Sequence, residues 1–188
     1  MSASSETWPR PHRLTVDDYY RMAEVGVLGP DDRTELIEGE IIDMPPIGDR
    51  HADVVRILTK RLVQAAGDSA DVSCQLPVRL SRRSEPQPDF VLLERKPESY
   101  RKHPIPADVL LLIEVSDSTL GYDLGKRAQL YAAHMIPEYW VIDLQHERVW
   151  RHRMPALGKY GERDEIVRGS LALPSLGSEI DVGELFAH

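Results

Sequence analysis

Two acidic residues occupy positions from which their side chains could support metal-dependent chemistry. Asp89 follows Pro88 at the start of one predicted strand, and Glu114 follows the apolar run 109–113. An unpaired carboxylate in such apolar surroundings is costly, and Mg²⁺ or Mn²⁺ would offset that cost because hard oxygen ligands suit these ions. The pair therefore predicts metal-assisted phosphodiester hydrolysis. The structural alternative is that Asp89 caps a turn and Glu114 pairs with an arginine.

The predicted strands and helices must bring these two acids together, because strand ends of a rigid scaffold present side chains to a cleft. Apolar alternation and runs predict strands over 72–80, 89–93, 109–115, 139–143 and 149–153. Glu38-Gly39 between two apolar runs predicts a hairpin over 35–44. Helices are predicted from a capping box at Thr15 to near Gly26, over 51–66 and over 122–134. This order indicates an α/β or α+β domain with a mixed sheet.

Several segments carry a family resemblance in one chain order. They are PDFV at 88–91, IEVSDST at 113–119, YDLGKRAQLY at 122–131, PEYWVID at 137–143, and ELIEGE at 35–40 with Pro45 and His51 after it. Over residues 15–150 the sequence resembles the Putative restriction endonuclease family of the PD-(D/E)XK nuclease superfamily. The resemblance implies the restriction-endonuclease-like fold, a central mixed sheet flanked by helices, with Asp89 and Glu114 as the metal ligands.

The third catalytic position departs from the superfamily pattern. Ser116 stands two residues after the second acid, where the superfamily has a lysine. Members of the family often carry a lysine on the following helix instead, four residues before a tyrosine of that helix. Counted back from Tyr131 that position is Arg127, with Lys126 one residue earlier. Arg127 stays protonated and cannot act as a base, whereas Lys126 would need a shift of register. The structural alternative is that both are solvated helix residues. The alternative function of the protein is that of a catalytically inactive nuclease fold that binds nucleic acid or a protein partner.

Further candidate residues surround the acidic pair. Glu35 matches the family's early acidic position and would complete the metal site, or it pairs with Arg33 in the hairpin. His51 would contact phosphate or a ligand, or it is a helix cap or a hydrogen-bonded structural residue. A set of basic residues near Asp89 would hold the phosphate backbone, or it forms a solvated basic face: Arg79, Arg82, Arg83, Arg95, Lys96, Arg101 and Lys102. The aromatic residues Tyr131, Tyr139 and Trp140 are expected in the core.

Composition narrows the class of protein. Among 188 residues, 23 Lys and Arg stand against 31 Asp and Glu, giving a net charge of -8. This charge argues against a protein that coats nucleic acid non-specifically, but it allows an enzyme with one local basic groove. The single cysteine, Cys74, excludes an internal disulfide and fits a reducing compartment.

We also expect a loose tail over residues 1–12 and a single domain over 13–188. Residues 1–10 show no secretory signal, and the longest apolar run is too short to cross a membrane, so a cytoplasmic protein is predicted. The expected partner is DNA. A homodimer is expected as well, since two active sites would match the two strands of a duplex.

Overall fold

The computed structural model describes residues 9–187, which fall into two compact units. The first unit takes in the described residues before Pro46 together with Ser81–Pro86. The second takes in Pro46–Leu80 and the described residues from Gln87 onwards. The expected tail over 1–12 and single domain over 13–188 stay predictions, and residues 1–8 of that tail lie outside the described part.

The first unit contains one helix and one hairpin. Helix α1 (Val16–Glu24) begins at Thr15, whose hydroxyl accepts a 3.2 Å hydrogen bond from the Asp18 amide. The Asp18 carboxylate accepts one of 2.9 Å from the Thr15 amide, so the predicted capping box is confirmed. Strands β1 (Thr34–Ile37) and β2 (Glu40–Asp43) pair antiparallel. The predicted hairpin is also confirmed.

Both residues of the hairpin turn have positive φ, 51° at Glu38 and 78° at Gly39, as a tight two-residue turn requires. A Cβ atom at Gly39 would come within 2.8 Å of the Cβ of Arg13. Glycine at this position is therefore required both by the backbone conformation and by the close approach of the neighbouring chain.

A six-stranded sheet forms the centre of the second unit. Its strands lie in sequence order: β3 (Ala70–Cys74), β4 (Phe90–Glu94), β5 (Val109–Ser116), β6 (Glu138–Asp143), β7 (Arg148–Ala156) and β8 (Lys159–Ile166). Strands β5 and β6 pair in parallel, and the other neighbours pair antiparallel. The predicted mixed sheet is confirmed, and its buried β5 is the longest apolar run of the sequence.

Helices cover both faces of this sheet. Helix α2 (Asp49–Ala66) packs its apolar side onto one face, which includes Phe90, Leu111 and Trp140. Between β5 and β6 the chain forms α3 (Leu120–Tyr122), a π-helical turn (Asp123–Arg127) and α4 (Ala128–Ala133). Tyr131 of α4 packs edge-on against Tyr139, with ring centroids 4.9 Å apart. Since Tyr139 and Trp140 point to opposite faces of β6, α4 lies on the face opposite to α2.

The structure differs from the predicted elements at three places. Strand β3 ends at Cys74 instead of continuing to residue 80, because Gln75 takes a positive φ of 50° and turns the chain out of the sheet. The predicted continuous helix over 122–134 is interrupted by the π-helical turn. Strands β8, β9 (Ser170–Ala172) and β10 (Glu179–Asp181) were not expected from the mixed composition of the C-terminal segment.

The three aromatic residues expected in the core, Tyr131, Tyr139 and Trp140, are buried, which confirms that prediction. None of the helices in residues 9–187 has the length and apolar character needed to span a membrane.

Candidate active site

Asp89 directly precedes β4, and its carboxylate is held by three groups of the second unit. Oδ2 accepts a 2.8 Å hydrogen bond from the Val115 amide on the neighbouring strand β5. The same oxygen lies 3.1 Å from Nε2 of His51 on α2. Oδ1 accepts a 3.2 Å hydrogen bond from the side-chain amide of Gln75. Asp89 is buried, so these contacts fix the orientation of its carboxylate.

Glu114 lies on β5, two residues before the end of that strand, and its carboxylate is buried as well. Oε1 accepts hydrogen bonds from Nη1 of Arg127 at 2.6 Å and from the Tyr131 hydroxyl at 2.8 Å. Oε2 accepts a longer one, 3.4 Å, from the amide of Asp89. The antiparallel pairing of β4 with β5 thus brings together the two acids expected to form the site.

Arg127 contacts a second buried acid in addition to Glu114. Its Nε lies 3.2 Å from Oδ1 of Asp123, four residues earlier in the helical segment. Asp123 in turn accepts a 2.5 Å hydrogen bond from the Thr119 hydroxyl. Burial raises the pKa of the Asp123 carboxyl, although the Arg127 guanidinium acts in the opposite direction.

The π-helical turn carries both Asp123 and Arg127. The amide of Ala128 donates to the carbonyl of Asp123, five residues earlier, so one extra residue is accommodated in the turn. Lys126 is half-buried on the same turn. Ser116, in the position where the superfamily has a lysine, is buried, with its hydroxyl 3.3 Å from that of Thr119.

The remaining candidates are distributed over both units. Glu35 lies in the first unit on β1, opposite Ile42, and is buried. Arg82 and Arg83 also lie in the first unit. In the second unit, Arg95 pairs with Asp71 at 2.7 Å and Lys96 with Asp108 at 2.6 Å. The roles assigned to these residues from sequence stay predictions, as do those of Asp89, Glu114, Lys126, Arg127 and His51.

Sequence reasoning missed three residues that contact the acidic pair or its cation: Gln75, Asp123 and Tyr131. Asp123 and Tyr131 lie four residues before and after Arg127, and side chains at that spacing share a helix face. That spacing was a usable signal. Gln75 gives no local signal, because its approach to Asp89 depends on the pairing of Cys74 with Phe90 across two strands.

The chemistry of these side chains fits a divalent cation. Asp89, Glu114 and Asp123 are all buried, and carboxylate oxygens are the ligands that Mg²⁺ prefers. Mg²⁺ is commonly held by one or two carboxylates together with water and substrate phosphate. Within residues 9–187, no cluster of three or more His, Cys, Asp or Glu side chains is arranged to hold a metal.

The matches to known proteins point to one class, the nuclease-like proteins. Residues 16–183 match the family Uma2, described as "Putative restriction endonuclease", so this chain belongs to that family and the resemblance seen in the sequence is confirmed. The family and the fold suggest a nuclease, and the family implies nucleic-acid binding.

A solved structure extends the likeness to three dimensions. The chain is similar to a crystal structure described as a "putative nuclease" from Anabaena variabilis, with a TM-score of 0.72 and 16% identity. The match covers 92% of this chain and 97% of the other. At this identity the match shows the shared fold. None of the curated proteins matches the chain.

Proposed function

We propose that this protein is a Mg²⁺- or Mn²⁺-dependent endonuclease that hydrolyses phosphodiester bonds in DNA, with Asp89 and Glu114 as the metal ligands. One observation carries the proposal: two buried acids, one directly before β4 and one on the neighbouring strand β5, are joined by the hydrogen bond from the Asp89 amide to Oε2 of Glu114. The membership of the chain in a nuclease family makes phosphodiester hydrolysis the reaction that suits this pair.

The reaction adds water across a P–O bond. The oxygen of water bonds to phosphorus, the ester bond breaks, and the leaving oxygen takes up a proton. A bound divalent cation supplies the means to lower the pKa of water and to neutralise charge on the phosphate.

The residues of the chain hold the two acids ready for this chemistry. Arg127 and Tyr131 donate to Oε1 of Glu114, which fixes the orientation of that carboxylate. The Val115 amide and the Gln75 side chain do the same for Asp89. Because a guanidinium does not release its proton at neutral pH, Arg127 contributes charge and position and does not accept a proton from water. Such preorganisation is the main contribution of a protein to this kind of catalysis.

The proposal is tested with supercoiled plasmid DNA incubated with the protein and MgCl₂ or MnCl₂. We expect nicking or linearisation that EDTA abolishes, and a rate at least about 10²-fold lower for Asp89→Asn and for Glu114→Gln. The matched control is Asp68→Asn, which removes one exposed carboxylate from the turn between α2 and β3. Equal rates for Asp89→Asn and Asp68→Asn would show that the site is assigned to the wrong residues.

A second candidate function, a nuclease fold that binds nucleic acid without cleaving it, is favoured by one observation. An arginine, which cannot act as a base, donates to Glu114, and Ser116 stands in the position of the superfamily lysine. If the parent cleaves no DNA with either metal but Arg127→Lys does, the fold is intact and the arginine accounts for the inactivity. If neither cleaves and DNA is still bound, the binding function replaces the endonuclease.

Cleavage of both strands of a duplex is most simply done by two copies of the chain. We therefore expect a homodimer in the presence of DNA, related by the two-fold symmetry of the duplex. Multi-angle light scattering with and without a duplex oligonucleotide measures this directly. A monomer on DNA at every protein concentration would contradict the expectation.

A further inference from the structure

A groove of about 840 Å³ lies beside β3, the strand at one edge of the six-stranded sheet. Its walls come from β3 itself, from the segment after Gln75 and from the loop that precedes the 3-10 turn at Pro106–Asp108. The amide of Arg79 donates a 2.8 Å hydrogen bond to the carbonyl of Pro104, which ties the two loops together. The groove belongs entirely to the second unit.

Basic side chains line this groove in a chain whose net charge is -8. They are Arg79, Arg101, Lys102 and His103. The acidic residue of the lining, Asp71, is paired with Arg95 at 2.7 Å. Glu98 lies 3.5 Å from Arg101 at the exposed surface, where such pairs contribute little. The groove therefore concentrates positive charge and suits an anionic ligand.

Apolar and aromatic side chains line the groove as well as the basic ones. Leu76 and Ile105 line the groove and are 57% and 49% exposed. Tyr100 contributes an aromatic ring, with Nζ of Lys96 4.3 Å from the ring centroid. A free phosphate ion makes no use of apolar surface, whereas sugars and bases do. The combination fits nucleic acid, whose phosphates meet basic side chains while its sugars and bases meet apolar and aromatic ones.

The groove lining is adjacent in the chain to a residue that contacts Asp89. Cys74 lines it, and the next residue, Gln75, donates its side-chain amide to Oδ1 of Asp89 at 3.2 Å. The main-chain amide of Gln75 also donates to the Asp89 carbonyl at 3.0 Å. The residue that holds Asp89 is therefore flanked in the chain by two residues of the groove lining, Cys74 and Leu76.

We infer that this groove binds the phosphate backbone of DNA and directs it towards Asp89. The inference rests on the proposed function for the identity of the site at its end. It divides the basic residues near Asp89 by position, because Arg79, Arg101 and Lys102 line the groove whereas Arg95 and Lys96 do not.

The test compares two variants that each remove two positive charges from exposed positions. Arg101→Gln/Lys102→Gln changes the groove, and Lys159→Gln/Arg168→Gln changes β8, at the opposite edge of the sheet, and the turn after it. Fluorescence anisotropy of a fluorescein-labelled DNA duplex is measured over a series of KCl concentrations in EDTA. The absence of divalent metal makes the measurement independent of cleavage.

We expect the groove variant to bind the duplex about tenfold more weakly at low salt, with a salt dependence of log K reduced by about two. The control variant is expected to bind as the parent does. Equal losses in both variants would show a general effect of net charge and overturn the inference, and so would an unchanged groove variant or a parent that does not bind. Failure of the proposed endonuclease is seen separately, as binding through the groove without metal-dependent cleavage.

Discussion

Nη1 of Arg127 lies 2.6 Å from Oε1 of Glu114, and the two side chains are only 2% and 6% exposed. Removing one partner of such a pair leaves the other charge buried without compensation. The family position that often holds a lysine is here filled by a side chain that makes this buried contact. Arg127 is therefore tied to the stability of the fold as well as to the candidate site.

Arg127→Met is expected to lower the free energy of unfolding by about 3–5 kcal/mol, because Glu114 would stay buried without its cation. Arg127→Lys keeps the positive charge and should lower the free energy of unfolding by less. Lys60→Met, which removes an exposed lysine from helix α2, is the control and is expected to stay close to the parent. Urea unfolding measures all three. An Arg127→Met protein as stable as Lys60→Met would show that the pair does not stabilise the fold.

The part of the site formed by strands was predictable from sequence. The apolar run before Glu114 and the strand after Asp89 fix both acids in one sheet, and antiparallel pairing of neighbouring strands places them together. The hairpin at Glu38-Gly39 was predictable for a similar reason, since a local turn signal determines it.

The part formed by the helical segment was not predictable from periodicity. A regular helix of 3.6 residues per turn leaves open whether Lys126 or Arg127 faces the sheet, and the π-helical turn changes the rotation between them. The contact between Gln75 and Asp89 was also hidden, since it depends on a turn out of the sheet after Cys74. Both depend on tertiary packing that overrides local preference.

Tyr131→Phe is expected to lower stability by about 1.5–3 kcal/mol, because the hydroxyl donates to the buried Glu114 carboxylate at 2.8 Å. The matched control is Tyr160→Phe, which removes a hydroxyl that donates to the uncharged carbonyl of Ile136 at 3.0 Å. Tyr160→Phe should lower stability by about 1 kcal/mol. Chemical denaturation compares the two. Equal losses would indicate that the charge of Glu114 does not strengthen the bond.

His152 predicts a pH dependence of stability. Burial, with a smaller contribution from Arg163, lowers its pKa from 6.5 to about 4 in the folded protein. The unfolded chain therefore binds more protons between these two values, so stability is fully present above pH 6.5 and falls as the pH drops towards 4. At pH 5 the expected loss is about 2 kcal/mol relative to neutral pH.

The measurement is urea unfolding of the parent and of His152→Phe at pH 7 and pH 5. For each protein, the loss of unfolding free energy between pH 7 and pH 5 is measured. The carboxyl groups titrate in both proteins, so the difference between the two losses is the contribution of His152. Tyr139 and Tyr160 pack around the His152 ring, so phenylalanine is a replacement of suitable character for this aromatic cluster. If His152→Phe loses as much stability between pH 7 and pH 5 as the parent does, His152 is not the source of the pH dependence.

Metal binding is expected to raise the melting temperature of the folded protein, independently of any cleavage. An ion that binds only the folded state at 100 times its dissociation constant stabilises that state by about 2.7 kcal/mol. We expect MnCl₂ to raise the Tm of the parent and of Asp68→Asn, but not that of Asp89→Asn, which lacks one of the two proposed ligands. CaCl₂ and NaCl at matched ionic strength separate specific binding from screening. If Asp89→Asn responds to MnCl₂ as the parent does, the ion binds elsewhere on the molecule. If no protein responds while DNA is still bound, the metal-dependent endonuclease gives way to the binding function.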